Sequence, residues 1–286
     1  MSKSDHPPPP SAPVPLPSFE LYRTALTDVR PDAPASNAAR LARAARQLVA
    51  GAIDLVYPSH CMACGEGLDG TAALCLSCAA KVHWIGHDRC RRCGAGVGLH
   101  RGAVESCPEC ATHPPAFVEE ACAVAKYGGP LRAVILGLKF GGGLQAVPML
   151  ARLLATRIRD TQLLQNAAGW AVVPVPLAPP DARQRGFNQA EELARALTRD
   201  FPVRPDVGLL RKTRATRPQA TLDHAARAQN LRGVFAVDHK RARRYAATGV
   251  LLVDDVMTTG ATLAECARAL HEAGIRRIRG AVIARG

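Results

Sequence analysis

At 286 residues the chain has room for one ordinary domain and something smaller. Apolar residues make up 48%, enough for a core, but Ala, Val and Leu dominate and aromatics reach only 4%, which argues against an extensive base-stacking platform. Lys and Arg number 37 against 24 Asp and Glu, a net charge of +13. Such an excess favours phosphorylated ligands or nucleic acid by long-range attraction, with an arginine-rich soluble protein as the plainer reading.

The start, "MSKSDHPPPPSAPVPLPSF", has no apolar h-region, so a secretory signal is not expected. No uncharged apolar run approaches the ~20 residues of a membrane span. The expected location is cytoplasmic. Residues 1–38 carry repeated Pro with Ser, Ala and Asp and read as a disordered tail. Over 39–57 the pattern Leu41, Ala45, Leu48, Ala52 and Leu55 predicts an amphipathic helix, stopped by Pro58.

A cysteine-dense module follows over 58–115. Eight of the ten cysteines form four C-x-x-C pairs, Cys61/Cys64, Cys75/Cys78, Cys90/Cys93 and Cys107/Cys110. Two thiolates two residues apart on a tight turn can bind one tetrahedral metal, and two such pairs complete a site, so eight sulfurs predict two Zn(II) ions. Disulfides are the alternative, disfavoured in a cytosolic setting. Gly65 and Gly94 follow the second cysteines of their pairs, where a knuckle needs a permissive backbone. Whether the pairs group sequentially or cross-brace is left open. His60, His83, His87, His100 and His113 are expected at the surface, since eight cysteines already fill two sites. Arg91, Arg92 and Arg101 could be presented to phosphates. The other two cysteines, Cys122 and Cys266, read as core residues.

Over 117–286 short apolar runs alternate with helical ones: "VEEACAVAKY", "LRAVILGLKF", "QAVPMLARLLATRI", "WAVVPVP", "NQAEELARAL", "VGLLRK", "VFAV", "VLLVDD", "TLAECARALHEAG" and "RGAVIAR". That alternation predicts an α/β domain with a mostly parallel sheet and flanking helices. "VLLV" is a continuous apolar run, as in a strand buried on both faces. Ligands of such sheets bind beyond the carboxyl ends of the strands, where Asp254 and Asp255 are expected. "MTTGATL" then supplies hydroxyls and a glycine before a helix N-terminus, which favours phosphate. Ordinary threonine capping is the plainer alternative. The carboxylates would repel a bare phosphate but suit the hydroxyls of a sugar attached to it, with Mg²⁺ offsetting charge. A ribose 5-phosphate satisfies both halves. Asn188 followed by Glu191 predicts a capping box in "RGFNQAEELA". Lys139 in "LKF" is a further candidate phosphate ligand. Residues 211–244 hold ten Lys and Arg against two Asp; Arg211, Lys212, Arg214, Arg217 and Arg227 form a cluster suited to a mobile loop closing over pyrophosphate, or to a nucleic acid backbone.

"VLLVDDVMTTGATL" resembles the phosphoribosyl pyrophosphate (PRPP) loop of type I phosphoribosyltransferases. "YGGPLRAVILGLKFGG", "PVPL…RQRGFNQAEELARAL" and "LLRKTRATRPQATLDHAARAQNLRGVFAV", after four C-x-x-C pairs, resemble the ComF/GntX family over roughly residues 57–285. The resemblance implies a double zinc ribbon joined to a type I phosphoribosyltransferase-like domain, associated with DNA uptake in natural competence. It implies PRPP with Mg(II) as ligand, and single-stranded DNA and the DNA-uptake machinery as partners. The 5-phosphate would sit on Val256, Met257, Thr258, Thr259, Gly260 and Thr262. The ribose would meet Asp254 and Asp255, and pyrophosphate would meet Arg183, Arg185, Arg211, Lys212 and Arg214. Where the family commonly carries "PLHPRRLRERGFNQ", this chain reads "PLAPPDARQRGFNQ": Ala178, Pro180 and Asp181 replace a His and two basic residues, removing charge near the expected pyrophosphate site.

Overall fold

The computed structural model describes Tyr22 and residues 60–68, 72–140, 143–216 and 224–286, with the side chains of 224, 225, 227 and 228 excepted. The helix expected over 39–57, Arg217, the Arg227 side chain and residues 1–38 other than Tyr22 lie outside the described residues. Tyr22 itself departs from the reading of its stretch as disordered. It is fully buried, its hydroxyl donates to the Leu74 carbonyl at 2.6 Å, and its ring lies 5.4 Å from that of Trp84.

Five strands form a parallel sheet: β3 (Glu120–Lys126), β4 (Ala171–Pro174), β5 (Arg204–Pro205), β8 (Val250–Met257) and β9 (Ile278–Arg285), in the order β3-β9-β8-β4-β5. Two short pairs stand apart: β1 (Arg89–Cys90) with β2 (Ala103–Val104) in the cysteine module, and β6 (Leu210–Lys212) antiparallel to β7 (Phe235–Val237). The helices are α1 (Leu76–Ala79), α2 (Pro108–Thr112), α3 (Gly129–Phe140), α4 (Val147–Asp160), α5 (Pro179–Arg185), α6 (Gln189–Leu197), α7 (His224–Leu231), α8 (His239–Ala242) and α9 (Ala261–Glu272). None among the described residues is long and apolar enough to cross a membrane.

The apolar runs of the strands are explained by cover on both faces. Leu251 and Val253 join Leu131, Leu150 and Leu193, from α3, α4 and α6, in one core. Their neighbours Val250 and Leu252 join Leu263, Leu270 and Phe235, from α9 and β7, in the other. Cys122 and Cys266 are both fully buried, as expected of core thiols.

The cysteine module lies against the outer edge of the sheet. Ile85 N–H donates to the Val124 carbonyl at 2.9 Å, Lys126 N–H to His83 at 2.8 Å and Ala121 N–H to Arg91 at 2.9 Å, so the module covers the unpaired edge of β3. Gly94 makes the closest approach. Its φ is +75°, and a Cβ there would lie 2.8 Å from the Ala123 nitrogen and 2.9 Å from the Cys122 carbonyl carbon. Left-handed strain and overpacking together should make Gly94→Ala cost about 2–5 kcal/mol, measurable by denaturant unfolding of the zinc-loaded chain.

Candidate functional site

From β4 the chain winds outward to β5, and from β8 the opposite way to β9, so the adjacent carboxyl ends of β4 and β8 are a topological switch point. β4 pairs with β8 only as far as Pro174↔Val253, whereas β8 pairs with β9 as far as Met257↔Arg285. The crevice therefore opens on the β4 side of β8 at the two acids. Asp254 and Asp255 lie within the strand, not beyond its end as the sequence suggested. Asn188 pins the other wall: its Nδ2 donates to the Val175 carbonyl at 3.1 Å, and its Oδ1 accepts from Ala190 N–H at 3.1 Å to cap α6. The expected capping box is only half formed, because the Glu191 carboxylate turns to Arg195 at 2.7 Å.

The acids have different surroundings. Asp255 is buried, with Lys139 Nζ 2.8 Å from its Oδ2. The contact is a close ion pair between two largely buried groups. Lys139 is thus engaged as a countercharge to the acid pair. Asp254, half-buried, accepts from the Asp255 N–H at 2.8 Å. Burial, and then the neighbouring Asp255 charge, hold its carboxyl well above the usual range, with Lys139 opposing. Replacing Lys139 by Met strands a buried carboxylate; we expect a loss of about 3 kcal/mol at neutral pH, read by denaturant unfolding, with Asp255→Asn restoring much of it.

After Met257 the chain leaves the sheet and reaches α9 through Gly260, whose φ is +80°. Residues 256–263 line a cup of about 30 Å³. Backbone amides at a helix N-terminus and the Thr258, Thr259 and Thr262 hydroxyls give this cup the character of an anion site. Thr259 Oγ1 accepts weakly from Ala261 N–H at 3.4 Å.

Of the expected basic ligands, Lys212 comes closest in character to a site residue. It is half-buried, its Nζ donates to Thr216 Oγ1 at 3.1 Å, and burial lowers its pKa while Asp181, Cys266 and Asp254 oppose that shift. Arg211 and Lys212 belong to a strand of the β6–β7 ribbon, not to a loop. Arg185 closes α5 with its guanidinium 5.3 Å from the exposed Phe140 ring, and Arg183, Arg211 and Arg214 are exposed. Sequence reasoning missed a second basic feature, a cavity of about 550 Å³ beside the amino end of β4 lined by Arg204, Arg241 and Arg244. Asp206, 4% exposed, fixes Arg241 there at 2.8 Å. Only the charge count of residues 211–244 hinted at it.

The cysteines settle into two sequential groups, Cys61/Cys64/Cys75/Cys78 and Cys90/Cys93/Cys107/Cys110, each with its sulfurs within 4.8 Å of one another. Separations of 3.7 Å for Cys64–Cys75 and Cys93–Cys107 and 4.0 Å for Cys90–Cys110 match the S···S spacing of about 3.8 Å implied by tetrahedral Zn–S bonds of about 2.3 Å. The donor set fits two zinc ions. Gly65 and Gly94 adopt φ of +78° and +75°, as the knuckles require, and His60, His83, His87, His100 and His113 are all exposed.

Comparison with known proteins agrees with this architecture. Profiles for a double zinc ribbon domain and a phosphoribosyl transferase domain match residues 52–111 and 181–286. The DNA utilization protein YhgH of Escherichia coli K12 is 31% identical over 229 residues, 79% of this chain and 96% of that protein. The chain belongs to the ComF family. Competence protein F of Haemophilus influenzae is 28% identical over 72% of this chain and 87% of its own length. Competence protein ComFC of Bacillus subtilis is 25% identical over 70% and 79%. A ComF-family chain thus combines the double ribbon with a phosphoribosyltransferase fold, and β8 with its two acids and the loop after it lies within the residues matched by the second profile.

Proposed function

We propose that this chain binds PRPP with Mg²⁺ in the crevice and acts in the cytoplasm on DNA taken up or used by the cell, the role that the names of its relatives suggest. The observation that carries the reading is the order of parts at the switch point: a buried strand, two acids at the open edge of β8, then a hydroxyl-rich turn into a helix N-terminus. Loop amides and the Thr258, Thr259 and Thr262 hydroxyls hold the 5-phosphate, while Asp254 and Asp255 hold the ribose hydroxyls. The acids also favour positive charge on the sugar ring as pyrophosphate leaves. Lys212, with Arg183, Arg185, Arg211 and Arg214, would receive the pyrophosphate, and bound Mg²⁺ would offset the charge it shares with the acids. A nitrogen nucleophile completes phosphoribosyl transfer. Pyrophosphate release measured across nucleobases and amines tests it; release with none of them sinks the transfer step.

A second reading keeps the loop as a regulatory site or scaffold in a non-catalytic protein that handles single-stranded DNA. It is favoured by Asp181 near Lys212, where the family commonly has a basic residue, and by the arginines of the cavity beside β4. Its signature is DNA affinity that falls steeply with salt and survives loss of both acids.

A further inference from the structure

We infer that Arg285 is a positioning residue for the loop after β8 and that Glu109, in the second cysteine knuckle, holds it in place, so that the second ribbon sets the geometry of the loop. The inference rests on the reading of that loop as a phosphate site. Arg285 closes β9 and is 3% exposed. Its Nη1 donates to the Met257 carbonyl at 3.3 Å, to the Gly286 carbonyl at 2.5 Å and, most closely, to that of Thr258. Those of Met257 and Thr258 are the two carbonyls at which β8 leaves the sheet. Each belongs to a planar trans peptide whose N–H points the opposite way. The Met257 carbonyl is also held by the Gly286 N–H at 2.9 Å, so the peptide that depends on Arg285 is the next one. Drawing the Thr258 carbonyl toward the guanidinium turns the Thr259 N–H away from Arg285, and this is an amide a phosphate on the loop would need.

The guanidinium depends on the ribbon for its charge balance. Its Nη2 lies 2.9 Å from Glu109 Oε2, and its Nε is buried with no hydrogen-bond partner among the described residues. Glu109 sits between Cys107 and Cys110 at the start of α2, with Cys93 of the same group also close to Arg285. A metal closing that knuckle would fix Glu109, Glu109 would fix Arg285, and Arg285 would fix the Thr258 carbonyl. Each contact spans two elements far apart in sequence. A lysine could supply the charge but not the planar fork.

The test is hydrogen exchange, read by mass spectrometry on the zinc-loaded full chain without PRPP, in Glu109→Gln and Arg285→Lys. Both are expected to speed exchange across residues 256–263 by roughly tenfold, the equivalent of one lost charge-assisted bond. Residues 250–253 and the zinc content should be unchanged, and the affinity for Mg²⁺-PRPP should fall by a similar factor. Unchanged loop exchange in both variants overturns the inference. If Glu109→Gln loses zinc, Arg285→Lys decides, because it leaves the knuckle intact. If the loop loosens but the unsubstituted chain never binds PRPP, the positioning role stands and the phosphate reading falls.

Discussion

Calorimetric titration of Mg²⁺ and PRPP into the zinc-loaded chain should show saturable binding, weakened roughly 10- to 100-fold in the Asp254→Asn, Asp255→Asn double variant. That is the effect of losing charge-assisted hydrogen bonds of about 1.5–3 kcal/mol. Heat from neither protein would leave the loop as scaffold and give the DNA-handling reading the field. The single variant Asp254→Asn carries a second expectation, of opposite sign, for stability. The folded Asp254 carboxyl holds its proton above the unfolded value near 3.8. Between that value and the raised one the folded state binds more protons than the unfolded, so this group makes stability fall as pH rises. Asparagine mimics the protonated form. The variant should therefore match the natural chain in acid and unfold later than it near neutrality, while binding the ligand worse. Stability spent on an acid that must ionise to work is the usual mark of a functional site. Equal unfolding midpoints at every pH would show that Asp254 is less strained than its surroundings imply.

Stripping zinc should have the largest effect on the fold. Structural zinc supplies roughly 10–16 kcal/mol to small cysteine modules at neutral pH, comparable with the whole stability of an ordinary domain. Among the described residues, the module's buried apolar side chains such as Leu74, Val82 and Trp84 belong to the core it shares with the sheet domain, so a strong chelator should unfold the module. The loss should reach the sheet domain as well. The Met62 methyl lies over Gly137 and Gly143, and Gly137 lies in the helix that presents Lys139 to Asp255. Melting followed by circular dichroism should show one transition at lower temperature after chelation, restored by added zinc. A sheet transition indifferent to zinc would mean the two parts are energetically independent.

What the sequence disclosed tracks how local the determinants are. The knuckle glycines, the buried "VLLV" strand and the turn into α9 depend on a few neighbouring residues, and each is found where the pattern placed it, except that the strand runs on through both acids to Met257. The mostly parallel sheet followed from the alternation of runs, but its order did not, because nothing local says that β9 inserts between β3 and β8. The site divides in the same way. Asp254, Asp255 and the threonine loop were legible as one motif. The pairing of Lys139 with Asp255 was not, since it joins residues brought together only by the packing of α3 on the sheet. Arg211 and Lys212 looked like loop residues because a short two-stranded ribbon has too few residues to show a period. Arg285 and Glu109 carried no signal at all: an arginine ending a strand and a glutamate between two cysteines are each unremarkable until the chain is folded.

The position of β9 also bears on how the chain is made. Lys126 leaves the ribosome long before Ile278, and until the last strand arrives β3 has no partner on that side, a long-range closure of the kind that folds slowly. During synthesis the ribbon can occupy the opposite edge through Ile85, His83 and Arg91, contacts that span far fewer residues than those between β3 and β9. A nascent chain that has taken up zinc waits with one bare edge on β3; a chain starved of zinc waits with two. Aggregation during translation, rather than loss of a finished protein, would then be the first symptom of zinc shortage in the cell.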